Sequence, residues 1–138
     1  MKWDTREPCK SCPYRMDAKL GFWHPVEFEN LVASERSQIG SVFACHSTKS
    51  DMSVCAGWLI KQRDNDIPSV ALRLQLMMNE SAVDCLNVVS DGGHELYETV
   101  EDMVDANEAM GRCDGCDRYL DEDGECMACA SLLTKKRR

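Results

Sequence analysis

Cysteine is the residue type in this chain whose number and spacing could support chemistry, since the 138 residues include nine of them. Eight fall into two sets of four. The first set is Cys9, Cys12, Cys45 and Cys55, and the second set is Cys113, Cys116, Cys126 and Cys129. A Cys-x-x-Cys turn points both sulfurs to one side of the backbone, where one ion at about 2.3 Å binds both. The sequence therefore predicts two metal sites rather than disulfides.

The second set has the more specific spacing, because two Cys-x-x-Cys pairs face each other across nine residues. Gly115 and Gly124 permit tight turns beside the thiols, and residues 121–124 predict the chain reversal between the two pairs. Four thiolates leave no open position for a substrate, which is typical of structural zinc. We expect one Zn²⁺ here, and residues 112–130 resemble a zinc ribbon or rubredoxin-like knuckle pair.

The first set is spread over more of the chain, and its fourth ligand is open. Cys9, Cys12 and Cys55 take either Cys45, which gives four thiolates, or His46, which gives a Cys₃His site. Neighbouring residues of an extended segment point to opposite sides, so only one of the two faces the ion, and we prefer Cys45. Zinc is the first choice, which makes two Zn²⁺ in the protein. An iron–sulfur cluster is the alternative, because prolines beside thiols are found at clusters.

Three stretches around the first set are similar to a known family. They are Pro8–Arg15, Phe43–His46 and Cys55–Leu59, with further similarity at 95–107. The chain resembles, over roughly residues 6–110, an uncharacterised family of small bacterial and bacteriophage proteins. This resemblance implies a metal site at the first set and a phage or bacterial setting, but no activity. It leaves the second set beyond the matched region, as an addition.

Apolar residues recur at helical spacing in several stretches. They predict helices over about 25–37, 53–63, 68–79 and 100–109, whereas 81–90 is ambiguous between a short helix and a strand. Residues 41–44 predict a short strand or extended segment that delivers Cys45. Cys55 then lies in the first turn of the second helix, where free N–H groups favour thiolate.

These elements predict a mainly α fold with short β segments, that is, a small metal-stabilised α+β domain followed by a zinc ribbon. We expect a metal-binding helical domain at 1–110, a zinc-ribbon-like module at 111–131 and a basic tail at 132–138. The wide apolar coverage of the 68–79 helix indicates a core helix, and a methionine-rich partner groove is the alternative. Cys85, in the run 83–89, is interpreted as a buried spare thiol.

Charge is unevenly distributed over the chain, whose net charge is −8. Residues 91–125 hold 13 acidic side chains and only two basic ones. An acidic surface repels phosphate, which disfavours general nucleic-acid binding by the body of the protein. Solubility alone explains such a surface, but we expect it to bind a basic surface on a host protein or nucleoprotein machine.

Catalysis is disfavoured because all-thiolate sites have no open position and the three histidines, His24, His46 and His94, are scattered. We therefore expect a non-catalytic, zinc-binding interaction protein. One alternative is a nucleic-acid-binding zinc-ribbon protein that holds phosphates through Lys135–Arg138. The other is an iron–sulfur redox or sensor protein.

Membrane insertion is not expected, because no apolar run approaches the roughly 20 residues that span a bilayer. The N-terminal residues also lack the apolar segment of a signal peptide. The sequence therefore predicts a cytoplasmic protein without a membrane partner, in the host cytoplasm if a phage encodes it.

Overall fold

Five helices form most of the regular structure in a computed structural model that describes residues 1–36, 40–45, 52–65 and 67–129. The helices are α1 Pro25–Arg36, α2 Ala56–Asp64, α3 Val70–Met78, α4 Glu80–Val88 and α5 Val100–Glu108. In these residues β structure is limited to isolated bridges, such as Ala44 with Val54. The expectation of a mainly helical chain is confirmed. None of the described helices is long and apolar enough to cross a bilayer.

Side-chain caps explain where three of the helices begin. Ser69 and Thr99 accept hydrogen bonds from the backbone N–H groups three residues ahead, at 3.3 Å and 3.1 Å. Asn79 accepts one from the N–H of Ser81 at 3.0 Å and starts α4 directly after α3. Such caps satisfy N–H groups that have no partner within the helix. The stretch 81–90, ambiguous in sequence, is therefore helical as far as Val88.

The core is centred on α2, whose Trp58 and Leu59 are completely buried. Gln62 of α2 is also fully buried, yet its amide is satisfied on both sides. It donates to the carbonyl of Glu35 at 3.3 Å and accepts from the N–H of Ser69 at 2.8 Å. Because a buried amide is costly without partners, this pair of bonds fixes the end of α1 and the start of α3 against α2.

The prediction that α3 is a core helix is wrong. Leu72 is completely buried, but Leu74 is 50% exposed, Met77 82% and Met78 80%. Leu76 packs against the core together with Leu72. The side of α3 that carries these two residues therefore faces inward. Its other side has no covering element among the described residues, since α3 makes its main contacts with α4.

The C-terminal segment packs against the rest of the protein through Tyr119, which is almost fully buried. Its ring meets Phe28 of α1 edge-on, with centroids 5.4 Å apart. The N–H of Leu20 donates to the carboxylate of Glu122 at 2.9 Å. Side chains thus pack across the boundary expected near residue 110, although the division into 1–110, 111–131 and 132–138 stays a prediction.

Candidate metal centres

The second cysteine set begins with a tight knuckle after α5. The N–H of Cys113 donates to the carbonyl of Arg118, and the N–H of Asp117 donates to the carbonyl of Cys113, both at 2.8 Å. The left-handed residue of this turn is Asp117, with φ of 60°. An aspartate, a residue type that tolerates this conformation better than most, therefore occupies the left-handed position, and Gly115 does not.

The chain reversal occurs where it was predicted, and Asp121 organises it. This carboxylate is buried and accepts hydrogen bonds from the N–H groups of Asp123 and Glu125, both at 2.9 Å. Gly124 adopts φ of +77°, a conformation that glycine adopts without strain. The reversal returns the chain so that Cys126 and Cys129 face Cys113 and Cys116.

The four sulfurs of the second set have the spacing of a single tetrahedral ion. Cys113 and Cys129 are 3.7 Å apart, Cys116 and Cys126 3.4 Å, and Cys116 and Cys129 4.0 Å, measured between Sγ atoms. All four Sγ atoms lie within 4.8 Å of one another. Metal–sulfur bonds of about 2.3 Å in a tetrahedron place sulfurs about 3.8 Å apart. This cluster could hold a metal ion.

Local electrostatics lower the pKa of one thiol in the second set, that of Cys126, and raise the pKa of another, that of Cys129. The backbone N–H of Cys129 donates to the Cys126 sulfur and lowers the pKa of Cys126 to about 7. Hydrogen bonding with the neighbouring thiols, Cys113 first, raises the pKa of Cys129 to about 12. A cation bound among the four sulfurs would favour all the thiolates, so metal binding should release protons.

Two short segments position the first cysteine set. The N–H of Cys12 donates to the carbonyl of Cys9 at 2.9 Å, which closes the first knuckle. The N–H of Cys45 donates to Ser53 at 2.7 Å, and the N–H of Cys55 donates to Phe43 at 2.9 Å. This antiparallel pairing aligns Cys45 with Cys55 and turns both toward the knuckle. All four thiols consequently line one cavity of about 220 Å³.

The thiols of the first set are arranged as two pairs within this cavity. The Sγ atoms of Cys9 and Cys45 are 3.7 Å apart, and both residues are half-buried. Cys12 and Cys55 are the two buried members, and each thiol shifts the pKa of the other. Among the residues that the structure describes, the compact spacing of 4.8 Å or less belongs to the second set and not to this one.

Cys55 precedes α2 as its N-cap, one position earlier than a first-turn residue. Its pKa is raised, first by the hydrogen bond with the Cys12 thiol and then by burial. The pKa of Cys12 is lowered, first by the Cys55 thiol, and the N–H groups of Tyr14 and Gly57 add to this effect. Of the groups that lower the pKa of Cys12, only Gly57 belongs to α2, so the neighbouring Cys55 thiol and not the helix N-terminus is the main cause.

Two aromatic side chains hold the turn between Cys9 and Cys12 in place. The indole N–H of Trp23 donates to the carbonyl of Ser11 at 2.8 Å, which ties Trp23 to the turn between Cys9 and Cys12. Tyr14, which sequence reasoning did not single out, is almost fully buried, and its hydroxyl donates to Glu35 at 2.7 Å. The sequence signal that could have identified Tyr14 is its position two residues after the Cys9-x-x-Cys12 pair.

Two further features were predicted as possible ligands or partners. His46, the substitute for Cys45, and the tail Lys135–Arg138 lie outside the described residues, so a Cys₃His site and phosphate binding stay predictions. Cys85 is buried, and its thiol donates to the carbonyl of Thr5 at 3.3 Å. Its place in the core agrees with a spare thiol outside both sets.

Comparison with known proteins gives one match. The sequence profile of a family described as a family of unknown function, DUF6283, matches residues 4–118. The match fits the expected uncharacterised family but extends further than expected, because it includes Cys113 and Cys116 and ends before Cys126. No curated protein matches the chain, and no solved structure does.

Proposed function

We propose, from the premise that the chain belongs to the DUF6283 family of unknown function, that this protein is a non-catalytic, metal-stabilised interaction protein. Its acidic surface, residues 91–125, would bind a partner that presents a basic surface, such as a protein that holds nucleic acid. The second cysteine set would take one Zn²⁺, which has no open position for a substrate when four thiolates bind it. A phage or bacterial setting is part of this proposal.

The observation that carries this proposal is a group of exposed carboxylates that form no ion pair with another described residue. They are Asp102, Asp105, Asp114, Asp123 and Glu125. Uncompensated charges of one sign produce a field that attracts oppositely charged surfaces. Electrostatic complementarity of this kind mainly increases the association rate and the selectivity for a partner.

The two arginines of the acidic surface do not cancel its charge. Arg112 is occupied by Glu108 at 2.5 Å and by Asp117 at 3.1 Å. Arg118 donates to the carbonyl of Phe22 at 2.9 Å and so ties the segment to the body of the protein. Neither guanidinium group forms an ion pair with the five carboxylates named above, which are therefore available for an external cation.

A zinc ion in the second set would hold this surface in one shape. The carboxylates at 114–125 lie between the two knuckles, on a segment that is too short to have a core of its own. Binding free energy of the ion would therefore be folding free energy for this segment. A preformed surface loses less entropy on binding than a disordered acidic segment does.

Charge reversal on the acidic surface tests the proposal. Partners would be captured from a bacterial lysate with the intact protein and then measured one by one at low and at physiological salt. We expect affinity for the true partner to fall about tenfold or more over this range. The variant Asp105→Lys/Asp123→Lys should lose most of the binding.

The matched control reverses two exposed charges outside the acidic surface, in Glu29→Lys/Asp84→Lys. This control has the same change in net charge and should retain most of the binding. Equal loss in both variants, or an affinity that does not change with salt, would refute the acidic surface as the binding site.

A further inference from the structure

We propose that the first cysteine set binds a [2Fe–2S] cluster rather than a single zinc ion. The cluster would occupy the 220 Å³ cavity that all four thiols line, with Cys9 and Cys45 on one iron and Cys12 and Cys55 on the other. This site is separate from the second set and from the acidic surface. The inference therefore goes beyond the proposed function and does not depend on it.

The pairing of the sulfurs is the first argument. A single tetrahedral ion requires all four sulfurs at about 3.8 Å from one another. The second set comes near this arrangement, because none of its sulfur–sulfur distances exceeds 4.8 Å. The first set does not form such a group, although Cys9 and Cys45 approach to 3.7 Å. A [2Fe–2S] cluster takes four thiolates as two pairs, one on each iron. A half-buried pair with sulfurs 3.7 Å apart, and a buried pair that lines the same cavity, match that requirement.

The size of the cavity that the four thiols line is the second argument. A cavity of about 220 Å³ is several times the roughly 30 Å³ that one water occupies in the liquid. A single ion in contact with four sulfurs needs no such space, whereas two irons and two bridging sulfides do. The small side chains of Ser53 and Ala56 form part of the wall and leave this space open.

Hydrogen-bond donors around the inner pair are the third argument. The first turn of α2, whose N–H groups have no partner within the helix, lies against the inner pair: a Cβ at Gly57 would be 2.9 Å from the Cys12 sulfur, and Cys55 is the N-cap of α2. Donors of this kind stabilise the negative charge of a cluster and tune its reduction potential. The buried inner pair shields one iron from water, whereas the half-buried outer pair leaves a route for loading.

Anaerobic preparation of the full chain provides the test. The protein would be reconstituted with ferric iron and sulfide in the presence of zinc, so that assembly of the oxidised cluster needs no further oxidant, then desalted and analysed for iron, zinc and acid-labile sulfide. We expect about two irons and two sulfides per chain together with one zinc, and a visible charge-transfer absorption. Native mass spectrometry should show the corresponding added mass.

Variants assign the cluster to its ligands. Cys45→Ala, at a half-buried position, should lose the colour and the sulfide but keep the zinc, whereas Cys113→Ala should lose the zinc and keep the colour. Cys85→Ala removes a buried thiol outside both sets and should keep both.

Two results would overturn the inference. One is a wild-type protein that holds two zinc ions and no labile sulfide after reconstitution. The other is colour that Cys45→Ala retains. Because none of these measurements involves the acidic surface, failure of this inference and failure of the proposed function would be distinguishable.

Discussion

Single tyrosines in this protein sit in surroundings that oppose their ionisation. The chain has three, and burial raises the pKa of each, that of Tyr14 strongly and that of Tyr119 to about 12. Glu35 and Glu108 accept hydrogen bonds from Tyr14 and Tyr119 and oppose a second negative charge nearby. All three phenols should therefore stay neutral where a free tyrosine ionises.

We predict that tyrosinate absorbance appears at a higher pH in the folded protein than in the denatured chain, in which the titration has its midpoint at about pH 10. Because the folded pKa values are higher, the unfolded state loses protons first as the pH rises. The stability contributed by Tyr119 is complete below about pH 10 and is lost between about pH 10 and 12, and that of the other two is likewise lost only above about pH 10. A spectroscopic titration with and without denaturant measures this difference. Coincident titration curves would contradict the buried positions of the rings.

The backbone of Gly57 lies against two residues at the first set, Tyr14 and Cys12, and leaves no room for a side chain. A Cβ at this position would lie 2.7 Å from the Tyr14 ring and 2.9 Å from the Cys12 sulfur. Both neighbours are buried and cannot move aside freely. A side chain at position 57 would thus displace part of the first site.

We predict that Gly57→Ala destabilises the protein by roughly 1–3 kcal/mol, the usual cost of overpacking, and reduces metal binding by the first set. Denaturant unfolding and metal analysis measure the two effects. Gly115→Ala is the matched control, since a Cβ there would meet Cys113 and Cys129 sulfurs at ordinary distances of 3.8 Å and 4.0 Å. If the two variants behaved alike, close contact at Gly57 would not be the cause.

At the scale of elements, α3 shows how one helix can have two apolar sides of which only one is used. Helical periodicity identified the helix itself, but both of its apolar sides were plausible core faces. The structure buries Leu72 and leaves Met77 and Met78 exposed. Contacts with α4, and not the apolar count, decide which side is inside.

We predict that Leu72→Ala costs about 2–5 kcal/mol of unfolding free energy, because it leaves a cavity in the core. Met77→Gln should change stability by less than about 0.5 kcal/mol, as exposed substitutions usually do. Equilibrium urea unfolding compares them. The reverse order of the two effects would place the other side of α3 in the core.

At the scale of the whole molecule, the second cysteine set is coupled to the helical body by packing. Tyr119 lies against Phe28, and Gly21 approaches the backbone of Leu120 so closely that a Cβ would be 2.8 Å from it. The segment between the knuckles therefore completes part of the core. Its metal ion should support more than its own segment.

We predict that removing the ion of the second set with a chelator, or by Cys113→Ser, lowers hydrogen-exchange protection both in 111–129 and in α1. The reason is that α1 loses the ring of Tyr119 when the knuckles separate. Cys85→Ser, a change of a buried thiol outside both sets, should leave 111–129 protected. Loss of protection confined to 111–129 would instead support the independent module expected at 111–131.

Sequence alone determined the features that depend on near neighbours along the chain. The second cysteine set, the reversal at 121–124 and the start of α5 at Val100 follow from spacing within a few residues. A turn or a helix start is decided by short-range sterics and hydrogen bonds, which a linear pattern contains. Membership of a family without a known activity added no functional site.

Only the tertiary structure decided the features that depend on residues far apart. The pairing of Cys9 with Cys45, the bond from Tyr14 to Glu35 and the burial of Tyr119 all join separate segments. The same holds for the inward side of α3. Each depends on which surfaces meet when the chain collapses, and burial is non-directional, so several arrangements satisfy one apolar pattern equally well. The physical packing of segments selects one of them.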